Sequence, residues 1–72
     1  MTGPAEIRVA GHTGMFDADS CTVDGTWLHA EGRWRRQVLS EGAPELHWSE
    51  PRTYSWRAAE VVEVRWQQEP TT

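Results

Sequence analysis

Three histidines, one cysteine and a short acidic run are the residues of this 72-residue chain with the means to do chemistry. His12, His29 and His47 could assemble a zinc site, and Cys21 beside one of them could serve as a thiolate nucleophile. The spacing supports neither use. No Cys-x-x-Cys or His-Glu-x-x-His pattern occurs, and the histidines fall in separate elements. A nucleophile also needs an oriented base and oxyanion donors, and Cys21 lies on a face expected to be buried. Asp17-Ala18-Asp19-Ser20 has the acidic spacing of a calcium loop, but it lacks the loop's glycine and distal glutamate. The sequence therefore points to no enzyme, no metal and no cofactor.

Arginine and aromatic residues are the stronger functional signal. The chain holds seven arginines, no lysine and five tryptophans. Trp27, Arg33 and Arg35 fall on one side of the central segment, a composition typical of protein-interface hot spots. Tyr54 and Trp56 form a second aromatic pair, as in peptide-binding grooves. The competing reading is structural: Trp27 stacks on Arg35 across paired strands, Tyr54 and Trp56 close one end of the fold, and the remaining tryptophans fill a small core.

The elements that position these residues are read from alternation and turn chemistry. Val23 to Val38 reads as three antiparallel strands joined by two tight turns. Asp24-Gly25 suits the centre of a type I′ hairpin, which pairs Val23 with Thr26 and Cys21 with Leu28. The second turn, at Glu31-Gly32, closes in either of two registers. A two-residue loop pairs Ala30 with Arg33. A three-residue loop with Gly32 as bulge residue pairs Leu28 with Trp34 and places Val23, Leu28, Trp34 and Val38 on one face. A one-residue slip inverts every side chain, so the apolar pattern favours the bulged version, with Trp27, Arg33 and Arg35 facing out.

Elsewhere, Glu6–Ala10 is a strand with Ile7 and Val9 inward. Gly11–Gly14 is a turn, and Met15–Asp19 is a short strand with Phe16 buried. Ser40–Pro44 is a polar hairpin tip, and Glu45–Ser49 is a strand with Leu46 and Trp48 inward. Arg57–Glu60 is a helical turn with Ser55 as a possible cap. Val61–Trp66 is a strand with Val62, Val64 and Trp66 on one face. This pattern predicts one all-β domain over residues 5–67, with flexible termini at 1–4 and 68–72. The expected architecture is a small SH3-like barrel or roll of five to six antiparallel strands, with a short helical turn before the last. An OB-fold is the alternative.

Gly32-Arg33-Trp34-Arg35-Arg36, Tyr54-Ser55-Trp56 and Val61–Trp66 resemble segments of small uncharacterised β proteins of high-GC actinobacteria and their phages. The resemblance covers about half the chain, implies an accessory or phage-type origin, and carries no activity onto particular residues.

The net charge of −4 sits in the first 32 residues, where five acids face Arg8 alone. An acidic chain is poorly suited to neutralising phosphates, which disfavours nucleic acid. A single cysteine fits a reducing cytoplasm, and no apolar run reaches membrane-spanning length. The leading expectation is a non-enzymatic intracellular protein–protein interaction module. The alternatives are a phage-type subunit that buries Trp27, Leu39 and Val61 in a symmetric oligomer, or a single-strand nucleic-acid binder using Arg33, Arg35, Arg36 and Trp27.

Overall fold

The computed structural model describes residues 2–67, so the loose ends expected at Met1 and at 68–72 lie outside the described residues. Six strands follow in order: β1 (Thr2–Val9), β2 (Met15–Asp24), β3 (Trp27–Ser40), β4 (Ala43–Trp48), β5 (Arg52–Arg57) and β6 (Val61–Trp66). A 3-10 turn, Ala58–Glu60, precedes β6, where a helical turn is expected. All pairings are antiparallel, in the order β4-β3-β2-β1-β6, with β5 also paired to β3. Among the described residues no strand joins the two ends, so the sheet is open. The residues 2–4 expected to be loose belong to β1, where Thr2 and Gly3 pair with Thr22 and Cys21.

The largest departure from the sequence reading is at Glu31-Gly32, which is no turn. β3 runs unbroken for 14 residues. On one edge it pairs with β2 from Trp27 to Arg35. On the other it pairs first with β5, through Trp27–Gly32, and then with β4, through Arg35–Ser40. β4 and β5 thus form one long partner strand, broken at Ser49-Glu50-Pro51. There Ser49 N–H donates to the Trp34 carbonyl and Trp34 N–H donates to Ser49 Oγ, both at 2.9 Å. Pro51 has no N–H to contribute to a ladder, which suits the break.

Gly32 is needed for packing. A Cβ there would stand 2.7 Å from Ala18 Cα and closer still to the Asp17 carbonyl. A glycine inside a strand commonly marks such a close backbone approach. The true bulge lies opposite, in β2, where the register shifts between Ala18 and Ser20 around Asp19. The acidic run is therefore part of a strand, and the expected short strand at Met15–Asp19 continues to Asp24.

Two hairpin turns differ in type because their glycines differ in position. Asp24 pairs with Trp27, leaving Gly25-Thr26 as the loop. Only Gly25 has positive φ (63°), the pattern of a type II′ turn. The observed register pairs Val23 with Leu28 and Cys21 with Ala30, two residues along from the expected one. A two-residue slip leaves every side chain on its expected face. At Glu41-Gly42 both residues have positive φ (52° and 82°), the type I′ pattern.

The core lies on the inward face of β1, β2, β3 and β5. Ile7, Phe16 and Cys21 are fully enclosed, with Leu28, Ala30 and Trp56 around them. Phe16 is edge-on to Trp34, Tyr54 and Trp56 at centroid distances of 5.1 to 5.3 Å. Val64 and Trp66 pack on this cluster as expected, but so does Val61, while Val62 is exposed. The reason is a register shift where β6 meets β1: Val9 pairs with Val61 but Arg8 with Glu63. Val62 is the extra residue of that bulge. Val23, expected inward, is exposed because β2 has run past the last residue of β1 that pairs with it. The expected cap Ser55 is replaced by Glu60, whose carboxylate accepts from Arg57 N–H at 3.0 Å.

Gly32→Ala should lower stability by about 1–3 kcal/mol through overpacking, a drop of roughly 4–8 °C in melting temperature per kcal/mol. A thermal melt unchanged by the substitution would contradict the close approach of β2 and β3.

Candidate functional site

The outer face of β3 carries its odd-numbered side chains, from Trp27 to Leu39. Trp27, Arg33 and Arg35 share this face, as the alternation requires, but they do not form one patch. Six residues at about 3.3 Å each put roughly 20 Å between Trp27 and Arg33. Trp27 is exposed at its own end of the sheet, with the Arg57 guanidinium 5.4 Å from its ring centroid. Its cationic partner is thus on β5, and the expected stack on Arg35 is absent.

Arg35 is committed elsewhere. Its Nη2 donates to Glu6 Oε2 at 3.2 Å, and Glu6 Oε1 accepts from Gln67 Nε2 at 3.1 Å. The same guanidinium lies 5.9 Å from the Trp48 ring centroid. Arg35 therefore ties β1, β3 and β4 together across the sheet. Arg33, exposed, lies opposite Asp17 and borders an open cleft with Asp17, Asp19 and Trp48. The structure gathers Arg33 and Arg35 around Trp48 and leaves Trp27 apart.

Tyr54 and Trp56 do not extend the outer face. They are the inward residues of β5 and stack on each other at 4.9 Å. Trp56 is buried at 8% exposure, and Tyr54 is half-buried with its hydroxyl accepting from Trp34 Nε1 at 2.9 Å. They belong to the core because β5 covers the aromatic cluster, a placement that depends on an unbroken β3.

What sequence reasoning placed inside, the structure places outside. Leu46 and Trp48 are 56% and 49% exposed, beside Leu39 at 76%. All six residues of β4 are exposed. The physical reason is that Leu46 and Trp48 stand on the outer face of the sheet, opposite Gln37 and Arg35. Beyond Arg35, β3 and β4 continue past β2 as a two-stranded ribbon, with no second layer beneath among the described residues. A signal for this exists in the sequence: through the Glu41-Gly42 turn, Trp48 and Leu46 stand opposite Arg35 and Gln37. Polar cross-strand neighbours mark a solvent-facing side.

At the root of the ribbon is a notch bordered by the Gly11–Gly14 turn. On one side, a cleft of about 350 Å³ is lined by His12, Trp34, Arg36, His47 and Ser49, among others. His12 stacks on Trp34 at 4.6 Å with rings 16° apart. On the other side, a cleft of about 450 Å³ is lined by Met15, Gln37 and Leu46, with Arg35 and Arg36 again contributing. Neither lining includes a carboxylate. Two carboxylates touch lining residues from outside: Glu6 lies 3.2 Å from Arg35 and Glu45 lies 3.6 Å from His47.

The chemistry-bearing residues are dispersed. His29 hydrogen-bonds to Ser55 Oγ through Nδ1 at 2.7 Å, far along β3 from the notch that holds His12 and His47. Among the described residues no group of three or more His, Cys, Asp or Glu is arranged to hold a metal ion. Cys21 is fully enclosed, and burial pushes its thiol pKa up. A thiol held protonated is a poor nucleophile. Among the described residues no helix is long and apolar enough to cross a membrane. No protein-family model, curated protein or solved structure matches the chain significantly.

Alanine substitution should separate the two kinds of tryptophan. Trp56→Ala should cost about 3–5 kcal/mol as a core truncation, and Trp27→Ala about 0.5–1 kcal/mol, the value of an exposed cation–π contact. Chemical denaturation measures both, and equal losses would contradict the placement.

Proposed function

We propose that the protein is a non-enzymatic, cytoplasmic protein–protein interaction module on an SH3-like roll, with its contact surface on the outer face of the β3–β4 ribbon. The strand order supports the SH3-like reading, as does the 3-10 turn entering a last strand that pairs with the first. That turn is tied back at both ends: Ala58 N–H donates to the Thr26 carbonyl at 2.7 Å, and Ala10 N–H donates to the Glu60 carbonyl at 2.9 Å. The enclosed Cys21, on the opposite face of the hairpin from His29, supports the non-enzymatic reading. An enclosed free thiol also suits a reducing compartment.

The observation that carries the proposal is the exposure of Leu39, Leu46 and Trp48 on one face of a ribbon outside the core. A chain with so few large apolar residues gains most by burying them, and a contiguous exposed group of them marks an interaction surface. Trp48, flanked by Arg33 and Arg35, has the aromatic and arginine composition of an interface centre. The site is thus Trp48 with Leu46 and Leu39, supported by Arg35 and bordered by Arg33. Trp27 stands outside it.

A second reading is self-association into a phage-type symmetric oligomer. The outer edge of β4, unpaired among the described residues, favours it, because a free edge beside an exposed apolar face suits pairing with another copy. Pro44 weighs against it: Pro44 stands opposite Leu39, where its missing N–H falls on the outer edge and blunts it.

Affinity capture from host extract, paired with light scattering, tests the proposal. The wild-type chain should be monomeric and should retain a partner that Trp48→Ala and Leu46→Ser lose, while Trp27→Ala keeps it. A partner retained by both ribbon variants would overturn the assignment of the surface. A concentration-dependent oligomer abolished by those variants would transfer the surface to self-association.

A further inference from the structure

Backbone hydrogen bonds along β3 alternate between its two edges. The two-residue loops make Asp24–Trp27 and Ser40–Ala43 hydrogen-bonded pairs. Odd-numbered residues of β3 therefore bond toward β2, and even-numbered residues toward β4 and β5. The Trp34–Ser49 and Thr26–Ala58 bonds agree with this assignment. The β2 side of the ladder ends at Met15–Arg35. Beyond it the N–H and C=O groups of Gln37 and Leu39 point into the notch, and among the described residues no strand pairs with them.

The surroundings of this short edge are cationic. Arg36 borders the clefts on both sides, and Arg8 lines an adjoining cleft with His12 and Met15. Among the described residues neither arginine is in an ion pair. On a chain of net charge −4 this is a local reversal of sign. Gly14 allows the approach: a Cβ there would stand 2.9 Å from the Arg35 carbonyl and press on the mouth of the notch.

We infer that the free edge of β3 at Gln37–Leu39 binds an extended, carboxylate-bearing segment of a partner protein by strand addition, continuing the line of β2. The inference rests on the interaction-module reading and names the partner's chemistry. Main-chain groups of Gln37 and Leu39 supply register, as in other strand-addition complexes. The segment's alternate side chains fall into the two clefts, where Arg36 meets its carboxylates by charge-assisted hydrogen bonds. Two backbone residues offer few bonds, so the charge pairing sets selectivity. A second copy in the same place would bring one cationic notch against another, which disfavours it.

The test uses a short fluorescein-labelled peptide of alternating Val and Glu, with Lys replacing Glu in the control, read by anisotropy. The Glu peptide should bind at least roughly tenfold more tightly than the control, and Arg36→Glu should remove that preference. Gln37→Pro deletes an edge N–H that the fold does not use, and should weaken binding by roughly tenfold. In case that variant misfolds, NMR of the wild type supplies an independent reading: the amides of Gln37 and Leu39 should shift on adding peptide while His29 does not. No binding at about 1 mM peptide, equal binding of both peptides, or unshifted Gln37 and Leu39 amides would overturn the inference. So would preference for labelled oligothymidine, or a dimer that Gln37→Pro dissociates. A natural partner lost by Trp48→Ala but kept by Gln37→Pro would defeat strand addition alone and leave the interaction surface standing.

Discussion

A β-strand offers its backbone hydrogen bonds to alternate edges from alternate residues, and β3 uses that rule over 14 residues to hold three partners. Its odd residues hold β2. Its even residues hold β5 and then β4, with Ser49 bonded to Trp34 at the change of partner. The core follows from this arrangement. Since β2 and β5 flank the first half of β3, the inward residues of all three converge, and Phe16 meets Trp34, Tyr54 and Trp56. The ribbon follows as well. Once β2 and β5 have ended, β3 and β4 continue with solvent on both faces.

Gly32 is the point at which this plan is most sensitive. The Asp17 carbonyl and Ala18 Cα occupy the space a side chain would need. Across from it, β2 takes up one extra residue at Asp19, which returns Cys21 to the inward face alongside Phe16 and Ala18. A small domain has few buried positions, so a bulge that keeps three residues inward on one strand matters more than it would in a larger protein.

The all-β class, the number of strands and the helical turn before the last strand were legible because alternation and turn residues are local. Ile7, Val9 and Phe16 face inward as their alternation indicates. Glu31-Gly32 reads as a turn in the sequence because glycine serves both turns and close backbone approaches, and only the neighbouring strand distinguishes them. A turn there leaves Tyr54 and Trp56 without a partner on β3. The sequence then admits them equally as a binding patch or as the closure of one end of the fold, and only the pairing of β5 with β3 decides. Leu46 and Trp48 read as core residues for a related reason: alternation shows that two residues share a side but not whether anything covers it. The notch was not legible at all, because it exists where one strand ends and its neighbour continues. Arg36 and His47, adjacent across β3 and β4, are 11 positions apart in the chain.

The central claim is that β3 is one strand through Gly32 whose β2-side edge is free beyond Arg35. Residue-resolved amide hydrogen exchange on the isolated protein tests it most directly. The account predicts slow exchange at Glu31 and Gly32, bonded to β2 and β5 respectively, and fast exchange at Gln37 and Leu39, in alternation with protected Arg36, Val38 and Ser40. Fast exchange at Glu31 and Gly32 would mean that the chain turns there, and both the aromatic core and the notch would have to be redrawn.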